Sequence, residues 1–287
     1  MRSLAALSLL FNALVWGLSW WPLRHLQQHG LHPLWATMLF FMLGAAVIAM
    51  WQPSAWRIVV RQQGLLALAA VAGLTNALFN WGVAVGDVVR VVLLFYLMPL
   101  WAALLARWLL NEPITRQSAL RMALALIGAA LVLKPEGDGW PRLTELADWL
   151  GLLGGMGFAL TNVLLRQQAS QPAAARALAM FAGGVVVPGL LGWALWQASL
   201  IPPWPVVAAQ WAWPALAMGG LFILSNLALQ YGAARLPVQL TSVLMLTEVL
   251  FAALSSAWLA QSALAPHVLM GGGLILGASL LAAWGER

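Results

Sequence analysis

The sequence predicts an all-α membrane protein of ten transmembrane helices, built as two five-helix halves in inverted-topology repeat. Three observations predict it. First, the 287 residues are 63% hydrophobic and 8% charged, where a soluble domain carries about 25% charged residues. Second, apolar runs long enough to span a bilayer, about 20 residues each, follow one another with only short polar breaks. Third, the pattern occurs twice. Asn76-Ala-Leu-Phe-Asn80-Trp81-Gly82 returns 150 positions later as Asn226-Leu-Ala-Leu-Gln230-Tyr231-Gly232, and Leu100-Trp-Ala-Ala-Leu104 returns at the same offset as Leu250-Phe-Ala-Ala-Leu254. Trp16-Gly-Leu-Ser-Trp-Trp-Pro-Leu-Arg24 matches Phe158-Ala-Leu-Thr-Asn-Val-Leu-Leu-Arg166 at offset 142.

The predicted spans are roughly 4–23, 33–51, 64–85, 89–110, 116–134, 149–168, 175–197, 209–231, 237–260 and 265–284. Proline, glycine or charge marks the connections: Gln52-Pro53, Asp87, Asn111-Glu112-Pro113, Gln171-Pro172, Pro202-Pro-Trp-Pro205 and Ala265-Pro266. This divides the chain into a first repeat (1–134), a linker (135–148) with Glu136, Asp138, Glu145 and Asp148, and a second repeat (149–287). The first apolar run is long enough to span and has no clear small-residue cleavage site, so no cleavable signal peptide is expected. With the N-terminus in the cytoplasm, ten arginines (2, 57, 61, 107, 116, 121, 166, 176, 235 and 287) fall on the inner side, and only Arg24, Arg90, Lys134 and Arg142 fall outside. That bias fits the positive-inside rule. It predicts a multi-pass protein of a bacterial-type inner membrane, with both termini cytoplasmic and the linker external. Five helices per half is odd, so the second half enters from the opposite face.

Several classes are disfavoured. There is no cysteine, hence no disulfide or thiolate metal site. The net charge of +6 comes from cations scattered singly at helix ends, not from a stripe that would read nucleic acid. No metal or other cofactor is expected. His25, His29 and His32 cluster outside between the first two helices, where a solvated loop is expected rather than a metal site, and His267 stands apart. No Ser-His-Asp set, HExxH or phosphate loop is present, so an enzyme or an ATP-driven pump lacks support.

Three patterns resemble the drug/metabolite transporter superfamily, in its ten-helix EamA-type branch. They are Leu14-Val-Trp16-Gly17; Met98-Pro99-Leu-Trp-Ala-Ala-Leu-Leu-Ala-Arg107 followed by Asn111-Glu112-Pro113; and the echo Thr247-Glu248-Val-Leu-Phe-Ala-Ala-Leu254 with Gly271-Gly-Gly-Leu-Ile-Leu-Gly277. The resemblance covers nearly the whole chain and is similar to a subgroup handling aromatic amino acids. It implies an inner-membrane exporter of small metabolites. Its cavity would be lined by helices 1, 3, 4, 6, 8 and 9, with helices 5 and 10 peripheral. Two departures stand out. Val249 takes the place of a usual proline, which predicts a straighter helix 9. Ser262 takes the place of a usual acid, which predicts a looser loop.

The residues support a binding site on their own terms, because polar side chains in a bilayer core tend to face a cavity or a partner helix. Helix 1 carries Asn12, Trp16, Ser19 and Trp20 on one face; helix 3 carries Asn76, Asn80 and Trp81; helix 8 carries Asn226, Gln230 and Tyr231. Helix 4 adds Tyr96 and Trp101, and helix 6 adds Thr161 and Asn162. Aromatic walls with a few amides suit a ligand with an apolar body and a zwitterionic head, and an ammonium can lie over indole faces. The alternative for each amide is hydrogen bonding between helices. Most of the 18 tryptophans read as interfacial anchors, among them Trp51, Trp56, Trp140, Trp149, Trp204, Trp211, Trp213 and Trp284.

Glu248 is the carboxylate expected nearest the bilayer centre. Burial disfavours the charged form of a carboxyl, so Glu248 is a proton-coupling candidate; the alternative is a packing role. Small residues let helices approach closely. Gly151, Gly154, Gly155 and Gly157 open helix 6, Gly183 and Gly184 should interrupt helix 7, and Pro99 should bend helix 4. Helices 3, 4, 8 and 9 are expected to bend as access changes. The sequence thus predicts a secondary transporter exporting amino acids, aromatic and neutral ones first, with protons as a candidate second partner. A multidrug or cationic-compound exporter and a channel-like facilitator are the alternatives. Monomer and dimer are both compatible.

Overall fold

The computed structural model describes residues 2–109, 114–134, 142–204, 209–233, 235–236, 244–261 and 265–284. Asn111-Glu112-Pro113, Trp140, Ser262 and the linker residues 135–141 lie outside them. The fold is all-helical. Among the described residues six stretches are long and apolar enough to cross a membrane: Ser3–Gln28, Pro33–Trp51, Gln63–Val85, Leu146–Leu165, Ala173–Gln197 and Gln210–Leu229.

The elements are α1 (Arg2–Leu18), α2 (Trp20–Gln28), α3 (Pro33–Trp51), α4 (Pro53–Arg61), α5 (Gln63–Val85), α6 (Val88–Phe95), α7 (Met98–Leu109), α8 (Arg116–Val132), α9 (Leu146–Gln167), α10 (Ala173–Gln197), α11 (Ala209–Ala233), α12 (Thr247–Leu259) and α13 (Pro266–Trp284). Helix α4 is not among the predicted elements. It is a short amphipathic helix that buries Ala55 and Val59 and exposes Trp56, Arg57 and Arg61, the pattern of a helix lying in a membrane interface.

Packing has a definite pattern. Helix α5 packs chiefly on α9 and α10, and α3 packs on α10 and α11. Helix α1 packs on α11 and α12, while α6 and α7 pack on α9. Helices α8 and α13 pair closely with each other. Helix α10 runs unbroken through Gly183 and Gly184 and Pro188, which corrects the expected interruption. Gly183 serves contact instead: a Cβ there would lie 1.8 Å from the Ala69 carbonyl oxygen of α5, so only glycine permits this crossing.

Three predicted spans are interrupted. The first becomes α1 and α2, parted at Ser19, whose hydroxyl donates to the Trp16 carbonyl at 2.7 Å. The fourth becomes α6 and α7, parted at Tyr96 and Leu97. Pro99 lacks the N–H that would reach the Phe95 carbonyl, and the turn closes through Leu97 N–H to the Leu94 carbonyl at 3.2 Å. The ninth parts at Leu246, where Val249 N–H donates to the Leu246 carbonyl at 3.2 Å. This corrects the expectation of a straighter helix 9. Side chains do there what proline does at the break between α6 and α7. Thr247 Oγ1 donates to the Leu244 carbonyl at 2.6 Å, and Tyr96 OH reaches the Met245 carbonyl at 3.4 Å. Hydroxyls that capture backbone groups compete with helical bonds and bend helices. By contrast, α5 and α11 run straight through Asn80-Trp81-Gly82 and Gln230-Tyr231-Gly232.

The breaks at Tyr96 and at Leu246 each have a glycine against them. A Cβ on Gly155 of α9 would lie 2.3 Å from the Phe95 carbonyl oxygen. A Cβ on Gly17 of α1 would lie 2.8 Å from the Glu248 carbonyl oxygen and 2.7 Å from Phe251 Cβ. Backbones therefore meet at both breaks because these residues have no side chain.

Candidate functional site at the paired helix breaks

The two breaks face each other through one hydrogen bond. Tyr96 ends α6, and its hydroxyl donates to Glu248 Oε2 at 2.9 Å. Glu248 is the second residue of α12, where the partial positive charge of a helix start favours an acid. Both residues are buried, at 4% and 7% exposure. Irregular backbone within a membrane is tolerated where protein or a cavity covers it. Interrupted helices in corresponding positions of two halves are the usual pointer to a transport site.

An aromatic wall surrounds this pair. Phe95 packs on Tyr96 with centroids 6.0 Å apart, on Phe79 at 4.7 Å and on Phe158 at 5.4 Å. Phe79 meets Trp16 at 6.0 Å, and Trp16 meets Phe222 at 4.6 Å. Of these rings, sequence reasoning selects only Trp16 and Tyr96. Phe79 lies inside the repeated run without a signal of its own, and Phe158 figures there only as the counterpart of Trp16.

The amides divide. Asn12 of α1 donates to the Ser225 carbonyl at 2.9 Å and to Ser225 Oγ at 2.6 Å, on α11. Asn80 of α5 donates to Thr37 Oγ1 of α3 at 3.1 Å. Both amides join helices, and each leaves a buried Oδ1 without a protein partner. Such orphan oxygens in a native site call for water or a ligand. Asn76 donates to Ala72 of its own helix at 2.8 Å. Asn226 is half-buried and Asn162 is exposed, while the Gln230 side chain lies outside the described residues. Thr161 is buried with its hydroxyl unpartnered, and the half-buried Trp101 keeps its indole N–H unpartnered. Sequence reasoning missed Thr37, Ser225 and Ser255; lone hydroxyls in apolar helices give no periodic signal.

The remaining candidates sit toward the bundle ends. At the Arg24 end, Trp20 donates to Ser255 Oγ at 2.9 Å. Arg24 lies 5.0 Å over the Trp20 ring and donates to the Ala84 carbonyl at 3.1 Å and to the Gly86 carbonyl. Arg90 binds both oxygens of Asp148, at 2.6 Å and 2.9 Å. Trp81 meets His32 edge to face at 5.2 Å. His32 is not the solvated loop residue expected. It is buried, accepts Leu34 N–H at the start of α3, and burial pushes it down to about 4, so it is neutral. Trp211 is likewise buried against Trp204, not an exposed belt residue. At the opposite end, Tyr231 stacks under Arg235 at 3.8 Å, and Arg235 donates to the Tyr231 carbonyl. Among the described residues no group of three or more metal-ligating side chains occurs.

Comparison with known proteins bears on the first part of the chain. The EamA-like transporter family model matches residues 3–134. Those residues, somewhat under half of the chain, are similar to that family. The six candidate spans make the chain a multi-pass membrane protein. No curated protein sequence matches the chain. Fifteen chains of solved structures match it. One, described only as a crystal structure of a protein, aligns over 98% of this chain and 97% of its own, with a TM-score of 0.59 and 19% identity. At that identity the likeness speaks for the fold alone. It extends well beyond residues 3–134, over nearly the whole chain.

Proposed function

We propose that the whole chain is a ten-span, inverted-repeat secondary transporter that exports small metabolites by alternating access, with aromatic and neutral amino acids as its first substrates. The observation that carries this reading is the pair of facing helix breaks, joined at Tyr96 and Glu248 beside a wall of aromatic rings. The helix packing supports the repeat. Exchanging the first repeat (1–134) for the second (149–287) carries the α5–α9 contact onto α11–α1, the α5–α10 contact onto α11–α3, and the α8–α13 pair onto itself. Peripheral helices 5 and 10 correspond to that last pair. The external linker of 135–148, cytoplasmic termini and a bacterial-type inner membrane follow from the arginine bias.

In this reading the aromatic rings and Trp101 hold the apolar body of the substrate. The unpartnered amide oxygens of Asn12 and Asn80 take its ammonium, with Asn76, Asn162, Asn226, Gln230, Trp20, Trp81 and Tyr231 along the route. Glu248 exchanges the coupling proton. A second reading, export of organic cations, is favoured by the same carboxylate. Among the described residues of the two helices packed on α12, no arginine or lysine pairs with Glu248, so none of them competes for a cation there. The resemblance to aromatic amino acid exporters favours the first.

The test is counterflow. Liposomes holding purified protein are loaded with unlabelled tryptophan, and labelled tryptophan is followed outside. Transient accumulation, lost in Asn80→Ala, supports the amino acid carrier. Accumulation of a labelled cationic dye alone moves the reading to cation export. Flux without counterflow indicates a channel.

A further inference from the structure

We propose that Tyr96 is the positioning residue for Glu248, and that their hydrogen bond is a latch between the two broken helices that loosens when Glu248 takes a proton. The inference rests on the transporter reading above.

Four observations carry it. The bond joins the residue that ends α6 to the second residue of α12, so it connects the two backbone breaks. The same hydroxyl reaches the Met245 carbonyl at 3.4 Å, one of the groups freed by the second break. Both side chains are buried, so while the latch is closed water is poorly placed to substitute for either partner. The surroundings leave Glu248 few alternatives. Helix α12 packs on α1 and α6. Besides Tyr96, the ionisable residues of those helices are Arg2, at the far start of α1, and Arg90, which is held by Asp148. Helix α1 instead presents Gly17 to the Glu248 backbone.

The chemistry follows from charge. A phenol donating to a carboxylate makes a charge-assisted bond, roughly twice as strong as its neutral counterpart. Protonating Glu248 removes that assistance while adding a competing O–H donor. One proton therefore weakens the bond across the two breaks, and α6 and α12 become freer to separate. Phe95, packed on Tyr96, links that movement to the aromatic wall.

The experiment is an infrared pH titration of the purified full chain in lipid nanodiscs, without substrate. The Glu248 carboxyl band is identified by its loss in Glu248→Gln. In Tyr96→Phe the band should shift in frequency, and its titration midpoint should move by about one pH unit, the size of one hydrogen bond to a charged group. Ser255→Ala, which removes a different polar contact from α12, should leave both unchanged. An identical band and midpoint in Tyr96→Phe overturns the latch. So does an equal shift in Ser255→Ala, or the absence of any band that Glu248→Gln removes. Tryptophan counterflow is measured alongside. Its absence in the wild type fails the transport reading for that substrate, while the infrared result still decides the latch.

Discussion

The break between α6 and α7 at Tyr96 and the break before α12 at Leu246 lie 150 positions apart, the offset of the repeated sequence runs, yet they are made differently. The first is written into the covalent chain: Pro99 has no N–H to give the Phe95 carbonyl. The second has no such covalent cause. Val249, which stands where Pro99 stands in the first half, keeps its N–H and donates it to the Leu246 carbonyl. That break is held open by two hydroxyls, Thr247 on Leu244 and Tyr96 on Met245. A proline break is permanent. A hydroxyl break can be undone by turning a side chain. The break before α12 is therefore the adjustable member of the pair, and the acid sits on it.

The largest expected effect comes from removing the charge at the adjustable break. Glu248→Gln should reduce pH-driven tryptophan export at least about tenfold while sparing exchange; unchanged pH-driven flux would remove Glu248 from coupling. Next come the glycines that cover each break. Gly155→Ala places a methyl 2.3 Å from a backbone carbonyl, whereas the closest atom to the Gly17→Ala methyl lies at 2.7 Å. Overpacking of this kind typically costs about 1–3 kcal/mol, and Gly155→Ala should lower the melting temperature more than Gly17→Ala. The reverse order would mean that the first break yields more readily than its proline suggests.

A smaller effect distinguishes the two constructions directly. Thr247→Val deletes one hydrogen bond, worth about 1 kcal/mol, and should slow amide exchange at 246–249 by letting helical bonds form. Pro99→Ala should leave exchange at 95–99 nearly as it was, because Gly155 keeps α9 against the Phe95 carbonyl. Equal slowing in both would abolish the distinction. The smallest effect lies outside the breaks. His32 is held at about 4 by burial, below its ordinary value of 6.5, so the unfolded chain takes its proton first. Stability should therefore fall as pH drops from 6.5 toward 4, and His32→Asn, which preserves the capping acceptor, should flatten that loss in melting temperature.

Much of the fold was legible in the sequence because a bilayer imposes simple rules. Length and apolarity located the helices, since every spanning backbone must satisfy its own hydrogen bonds; α3 occupies Pro33–Trp51 as expected. Proline announced the first break. Glu248 and Tyr96 each stood out as polar or aromatic residues deep in a span. Other features had no local signature. Helix α4 is only nine residues long and too polar to read as a span. The second break depends on hydroxyls whose targets are backbone carbonyls, one of them 149 positions away. Phe79, Phe95 and Phe222 look like any apolar residues until their neighbours are known.

The sequence by itself determined that this is a multi-helix membrane protein with a repeated pattern, a resemblance to EamA-like transporters and one acid deep in a late helix. Those properties are additive along the chain, being sums of hydrophobicity, charge and spacing. Only the tertiary structure decided that Tyr96 meets Glu248, that Asn12 and Asn80 join helices while keeping one oxygen free, and that His32 is buried. Each of these is a pairing between distant segments. A hydrogen bond depends on distance and direction to within fractions of an ångström, and no property of either residue alone contains that information.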